Sequence, residues 1–147
     1  MQLREKLQTE MKEAMKSRDA AKLSAIRMVL SAVKNRDIEV RRELNDAEIT
    51  ETIATLCKQR RESIKLFKEA GRQELVDKEE AELNLMLTFL PQQLTREELE
   101  SLVVKAITET SASGGKDMGK VMKALMPHVS GRADGKLVSE IVKEKLA

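Results

Sequence analysis

Aromatic side chains are almost missing from this chain. Phe67 and Phe89 are the only two in 147 residues, and there is no Trp and no Tyr. Platforms that stack single-stranded bases need aromatic faces, so that mode of recognition is not expected. Core filling falls to Leu, Ile, Val, Met and Ala, most of them good helix formers. Cysteine is nearly absent too: Cys57 stands alone, which excludes an intramolecular disulfide and a Cys-x-x-Cys metal site. With one histidine, His128, the chain is poorly equipped for a His–nucleophile pair. Its place just after Pro127 suits a simpler role, a favourable charge at a helix end. Only six Gly and two Pro occur, so long uninterrupted helices are expected. No apolar run approaches the ~18 residues that suggest a membrane span. The opening stretch MQLREKLQTEMKEAMKSRD alternates charge with apolar residues and lacks the apolar centre of a signal peptide. No membrane is expected as a partner, and the expected location is cytoplasmic. Neither G-x-G-x-x-G nor the P-loop pattern is present. Gly114-Gly115-Lys116 lacks the spacing of a phosphate cradle. No cofactor and no metal are expected.

What the chain has in abundance is charge of both signs, 35% of residues, for a net of only +2. Bulk electrostatics therefore select no partner, and only local patches can. Apolar residues recur at helical spacing along the chain. Leu3, Leu7, Met11, Ala14 and Met15 define a first helix. Leu23, Ile26, Val29, Leu30 and Val33 define a second, begun after Ser17 and Asp19. The charged run from Asn35 to Asn45 loses the period and is expected as a loop or frayed end. Asn45 or Asp46 caps a third helix with Ile49, Ile53, Leu56, Cys57, Ile64 and Phe67, running to Ala70 before the break at Gly71. A fourth, from about Arg72, carries Leu75, Val76, Leu83, Met86, Leu87 and Leu90 and stops at Pro91.

The segment LPQQLT is the strongest boundary in the sequence. Beyond it Thr95 and Glu98 fit a capping box, followed by Leu99, Leu102, Val103, Ala106 and Ile107. SASGGKD is a loop by composition. Asp117 is expected to cap a short helix with Met118, Val121, Met122 and Leu125, ended by Pro127. Asp134 caps the last helix, with Leu137, Val138, Ile141, Val142 and Leu146. The expectation is an all-α chain: an N-terminal four-helix domain over residues 1–90 and a C-terminal three-helix bundle over 95–147.

Two basic sets stand out. Lys58, Arg61, Lys65, Lys68 and Arg72 follow at intervals of 3, 4, 3 and 4, which gathers them on one helix face along ~21 Å. Residues 58–72 hold six bases and two acids, a net of +4. A ridge of that length can follow a phosphate backbone. Arg27, Lys34, Arg36, Arg41 and Arg42 extend the patch if the helices pack side by side. Two features compete with this reading. Glu62 and Glu69 lie three or four residues from several of these bases. The stretch 73–82, with Glu74, Asp77, Glu79, Glu80 and Glu82 against Lys78, carries −4 and can fold back on the ridge. The Glu79, Glu80, Glu82 cluster is expected to be a solvated face, and Cys57, on an apolar stripe, a buried inert thiol. The second set lies in the tail, where residues 116–147 hold seven bases and four acids.

Several stretches together resemble one family over essentially the whole chain: SAVKNRDIE (31–39), KQRRESIKLFKEAGRQEL (58–75), LPQQLTREEL (90–99), DMGKVMKALMP (117–127) and GRADGKLVSEIVKEKL (131–146). They are similar to the YqeY family. The part after about residue 95 also looks like the C-terminal tail of the B subunit of the glutamyl/aspartyl-tRNA amidotransferase, a tail also appended to some glutaminyl-tRNA synthetases. The resemblance implies a stand-alone relative of a tRNA-contacting module. The expected function is therefore a non-catalytic tRNA-binding or amidotransferase-associated helical protein. One alternative is a protein-interaction module that docks on an aminoacyl-tRNA synthetase or the amidotransferase. The other, implied by homology alone, is carbon–nitrogen ligase activity with glutamine as amido donor. The matched positions are Lys120, Gly131, Arg132, Ala133, Asp134, Lys136 and Lys143. Gly131, Ala133 and Asp134 are expected to serve turn and cap, and Lys120, Arg132, Lys136 and Lys143 to reach phosphates.

Overall fold

A computed structural model describes residues 2–147. Those residues form seven α-helices and no strand: α1 (Gln2–Ser17), α2 (Ala20–Val40), α3 (Asp46–Glu69), α4 (Gln73–Leu87), α5 (Arg96–Thr110), α6 (Met118–Val129) and α7 (Gly135–Leu146). A short 3-10 turn, Gly115–Asp117, leads into α6. The all-α expectation holds. The chain divides into two compact units, one ending at Leu90 and the other running from Pro91 to Ala147.

In the first unit, the apolar stripes of α1 to α4 close on one core. Leu7, Ile26, Val29, Val33, Leu44, Ile49, Ile53 and Met86 are fully or almost fully buried there, with Phe89 beside them. The caps are those that the chemistry favours. Asp19 accepts the Lys22 N–H to start α2. Asn45 and Glu48 form a reciprocal capping box at the head of α3. Gly71, at φ +70°, closes α3 in the left-handed region, with its N–H on Lys68 O and the Arg72 N–H on Phe67 O.

Two expectations change in this unit. The fourth helix, α4, ends at Leu87, ahead of Leu90 and Pro91, where Thr88 closes it with its N–H on Leu85 O. Of the run Asn35 to Asn45, expected as a loop or frayed end, residues 41–45 do connect the helices, but α2 continues through 35–40 to Val40. Apolar periodicity reports burial, and the last turns of α2 show little of it, with Ile38 66% exposed. Of residues 35–40 only Arg36 and Glu39 are strong helix formers, and Asp37 anchors this end. Its carboxylate accepts from Arg4 Nη1 and Nη2 (3.1 and 3.0 Å) and from the Leu44 N–H (2.8 Å).

The second unit packs α5, α6 and α7 around Leu99, Val103, Val121, Leu125, Val138, Ile141 and Val142. Thr95 caps α5 by accepting the Glu98 N–H at 3.2 Å. Two local expectations change. Asp117 does not cap α6 through its side chain; it accepts the Ser113 N–H at 2.8 Å and closes the preceding loop instead. Pro127 does not end α6, which runs on to Val129. In the final turn the missing proline N–H removes a single helical bond.

Candidate functional site

The five cations expected to form one ridge are divided by the fold. Lys58, Arg61, Lys65 and Lys68 lie on α3, and Arg72 stands between α3 and α4. The turn at Gly71 sends α4 back along α3, bringing its acidic first half against the lower end of the ridge. Lys68 Nζ lies 3.5 Å from Glu80 Oε1, and Arg72 Nε lies 2.8 Å from Glu74 Oε1. Lys58, Arg61 and Lys65 form no ion pair among the described residues. Lys58 and Lys65 are exposed and Arg61 is half-buried. Glu62 and Glu69, which sequence spacing offered as local partners, also form no ion pair there.

Arg60 was not counted in the ridge, yet it takes two of the acids. Its Nε lies 3.1 Å from Glu79 Oε2 and 3.0 Å from Glu82 Oε2, with all three side chains largely shielded from water. The contacts are ionic, without an aligned hydrogen bond at that nitrogen. Glu79 and Glu82 are three residues apart and so share a helix face. The cluster Glu79, Glu80, Glu82, expected as a solvated face, is therefore a clasp that holds α4 on α3. Such a cross-helix contact leaves no spacing signature in the sequence.

Further along unit one, Arg36 pairs with Glu39 at 2.6 Å and Arg42 with Glu48 at 2.7 Å. The Arg42 guanidinium, helped by the Asn45 N–H, holds the Glu48 carboxyl down to about 2. Arg27, Lys34 and Arg41 stay exposed and form no ion pair among the described residues. A cleft of about 440 Å³ opens between α2 and α3, lined by Asn35, Thr52, Thr55 and Gln59 over Ala32 and Leu56. Arg36 and Glu48 at its rim are both committed to the pairs just described.

In the second unit, the turn from Gly131 to Asp134 links α6 to α7 and binds the segment ahead of α5. Gly131 sits at φ +74°. The Leu94 N–H donates to Arg132 O (2.8 Å), Gln93 Nε2 donates to Gly131 O (2.9 Å), and Arg132 Nε donates to Gln92 O (3.2 Å). Asp134 accepts the Lys136 N–H at 3.3 Å, and Ala133 packs at the edge of the core. Arg132 thus spends part of its guanidinium on the backbone. Lys120, Lys136 and Lys143 are exposed and carry no ion pair among the described residues. Lys136 and Lys143 share a face of α7 with Glu140 between them.

Cys57 is fully buried, and burial pushes its thiol up, away from the reactive thiolate. His128 is exposed in the last turn of α6. Among the described residues, no group of His, Cys, Asp and Glu side chains is placed to hold a metal ion. No helix among them is long and apolar enough to cross a membrane.

Fold and surface together define a class: an all-helical protein with exposed lysines and arginines that form no ion pair among the described residues. Comparison with known proteins supplies the family. The YqeY family model, described as Yqey-like protein, matches residues 4–146. Among curated relatives, the chain is 33% identical over 111 residues to "Altered inheritance of mitochondria protein 41, mitochondrial" of Kluyveromyces lactis, covering 73% of this chain and 60% of that protein. It is 30% identical over 141 residues to the protein of that name in Pyrenophora tritici-repentis, covering 95% and 78%. For a Saccharomyces cerevisiae protein of that name the identity is 32% over 95 residues, covering 64% and 51%. The chain belongs to the YqeY-like family. It spans between about half and four-fifths of the length of these relatives.

Proposed function

We propose that this chain is a non-catalytic, tRNA-binding helical protein that grips its ligand through phosphate and ribose contacts with little base specificity. One observation carries the reading. Lys58, Arg61 and Lys65 on α3, and Lys120, Lys136 and Lys143 on α6 and α7, stand clear of carboxylate partners among the described residues. Unpaired surface cations need little rearrangement to meet a polyanion. The resemblance of residues 95–147 to the amidotransferase tail supports the choice of tRNA. In this reading residues 1–90 act as a four-helix domain and 95–147 as a three-helix bundle, each with its own cation set. Lys68 and Arg72 contribute less, because Glu80 and Glu74 already neutralise them. Arg132 positions the turn as much as it meets phosphate.

A second reading, docking on a synthetase or an amidotransferase without RNA contact, is favoured by Leu66, 64% exposed on α3 beside the ridge. Ligase chemistry rests on homology alone. Gel-shift titration of the full chain against total tRNA tests the first reading. Binding that weakens steadily as salt rises is expected, because each phosphate contact releases counterions. No shift at low salt, or a shift indifferent to salt, contradicts it.

A further inference from the structure

Along α2, Arg27, Lys34 and Arg41 follow one another at seven-residue intervals. Seven residues fall only ~20° short of two full turns, so Arg27 and Lys34 share a stripe, and Arg41, the cap residue just past Val40, stands at its end ~21 Å from Arg27. All three are exposed, and none forms an ion pair or side-chain hydrogen bond among the described residues. Exposed Ser24, Ser31 and Ile38 stand between them. The opposite face of α2, with Ala25, Ile26, Val29 and Val33, is buried in the core, so the stripe points into solvent.

Two of the three acids closest in sequence are engaged elsewhere; the third, Glu43, is exposed two residues after Arg41 and forms no ion pair among the described residues. Asp37, three residues after Lys34, accepts both Arg4 amino groups and the Leu44 N–H. Glu39 is drawn to Arg36 at 2.6 Å. The α3 ridge differs on both counts: acids clasp its lower end, and Glu62 and Glu69 interrupt its face.

From this geometry we infer that the outward face of α2 is the principal track for a nucleic-acid backbone in the first unit. The inference rests on the tRNA reading above and deepens it by moving the main contact from α3 to α2. The composition of the stripe selects the ligand. Arginine, lysine and serine side chains are the usual donors to phosphate oxygens, and two arginines allow bidentate contacts. A specific protein interface needs an apolar centre, and this face offers Ile38 alone. Single exposed apolar residues are ordinary on protein surfaces.

Arg41 also supplies a way to separate binding from folding. It closes α2 at φ +58°, in the left-handed region, with its N–H on Ile38 O. Glycine occupies that conformation more readily than arginine. Arg41→Gly therefore removes a charge from the stripe while easing the backbone.

The test is filter binding of total tRNA to the full chain across a salt series, for the wild type, Arg41→Gly, the triple variant Arg27→Ala/Lys34→Ala/Arg41→Gly, and Lys58→Ala/Arg61→Ala/Lys65→Ala. Each phosphate contact contributes ~0.7 to ~0.9 to the slope of log affinity against log salt. The triple variant is expected to lose about two units of slope, more than the α3 variant loses. Arg41→Gly alone is expected to lose just under one unit, with a melting temperature equal to or above that of the wild type. Wild-type binding with an undiminished slope in the triple variant overturns the inference and leaves the tRNA reading standing. No binding by the wild type at low salt overturns both. A triple variant that keeps tRNA but loses a protein partner recovered from nuclease-treated extract makes the α2 face a protein dock and also overturns the inference.

Discussion

At the scale of single residues, carboxylates decide which cations remain available. Asp37 is the clearest case. It lies 33 residues from Arg4 in sequence, yet the two form a two-fold hydrogen-bonded pair that also accepts the Leu44 N–H. Arg4 holds the Asp37 carboxyl below its usual range. Glu48 is shifted the same way, to about 2, chiefly by Arg42 and then by the Asn45 N–H. A carboxyl whose folded value is depressed adds stability above its unfolded value of 4.5, and that stability fades as pH falls toward about 2. Glu48→Gln should therefore lower the urea midpoint near neutral pH, and the gap to the wild type should close as the solution is acidified through this window. A gap that is constant with pH contradicts the assignment. Part of this was legible in the sequence, which offered Asn45 as a cap candidate; the reciprocal bond from Glu48 emerged with the structure. The Asp37–Arg4 pair was not, because no local rule joins residues that only the tertiary fold brings together.

At the scale of elements, apolar stripes located every helix, but they fell short where α2 leaves its core and ran past the end of α4, where Leu90 packs on the core from beyond the helix. The outer turns of α2 carry Arg36, Asp37, Ile38 and Glu39, whose pattern is not amphipathic, so the sequence suggested a loop. The Asp37 anchor keeps it helical, with Arg36 and Glu39 the only strong helix formers there. Pro127 misled separately: α6 runs two residues beyond it although the proline has no N–H to give to Lys123 O. The acidic stretch of α4 shows the limit of charge counting. Glu79 and Glu82 read as a solvated cluster until α4 lies on α3, where Arg60 comes between them. The turn before α7 was better specified. Gly131 supplies the left-handed backbone and Asp134 the cap. Asp134→Ala should destabilise α7 by about 1 kcal/mol, visible as faster amide exchange in its first turn and a lower melting temperature. Unchanged exchange there contradicts the capping role.

For the whole molecule, what remains after pairing matters more than net charge. The chain carries only +2, yet Arg27, Lys34, Arg41, Lys58, Arg61 and Lys65 in the first unit, and Lys120, Lys136 and Lys143 in the second, form no ion pair among the described residues. The sequence revealed the existence of basic faces and the family. It did not reveal which faces stay basic, because that depends on where α4 lays its acids and on which carboxylates Arg4, Arg36 and Arg42 hold. The most direct measurement is recovery of the full chain from cells after crosslinking, with sequencing of the bound RNA. Enrichment of tRNA over other abundant RNA, with crosslinks to peptides of α2, α3, α6 or α7, is the predicted result. Recovery with no RNA above background, and with a protein partner that persists after nuclease treatment, would contradict it.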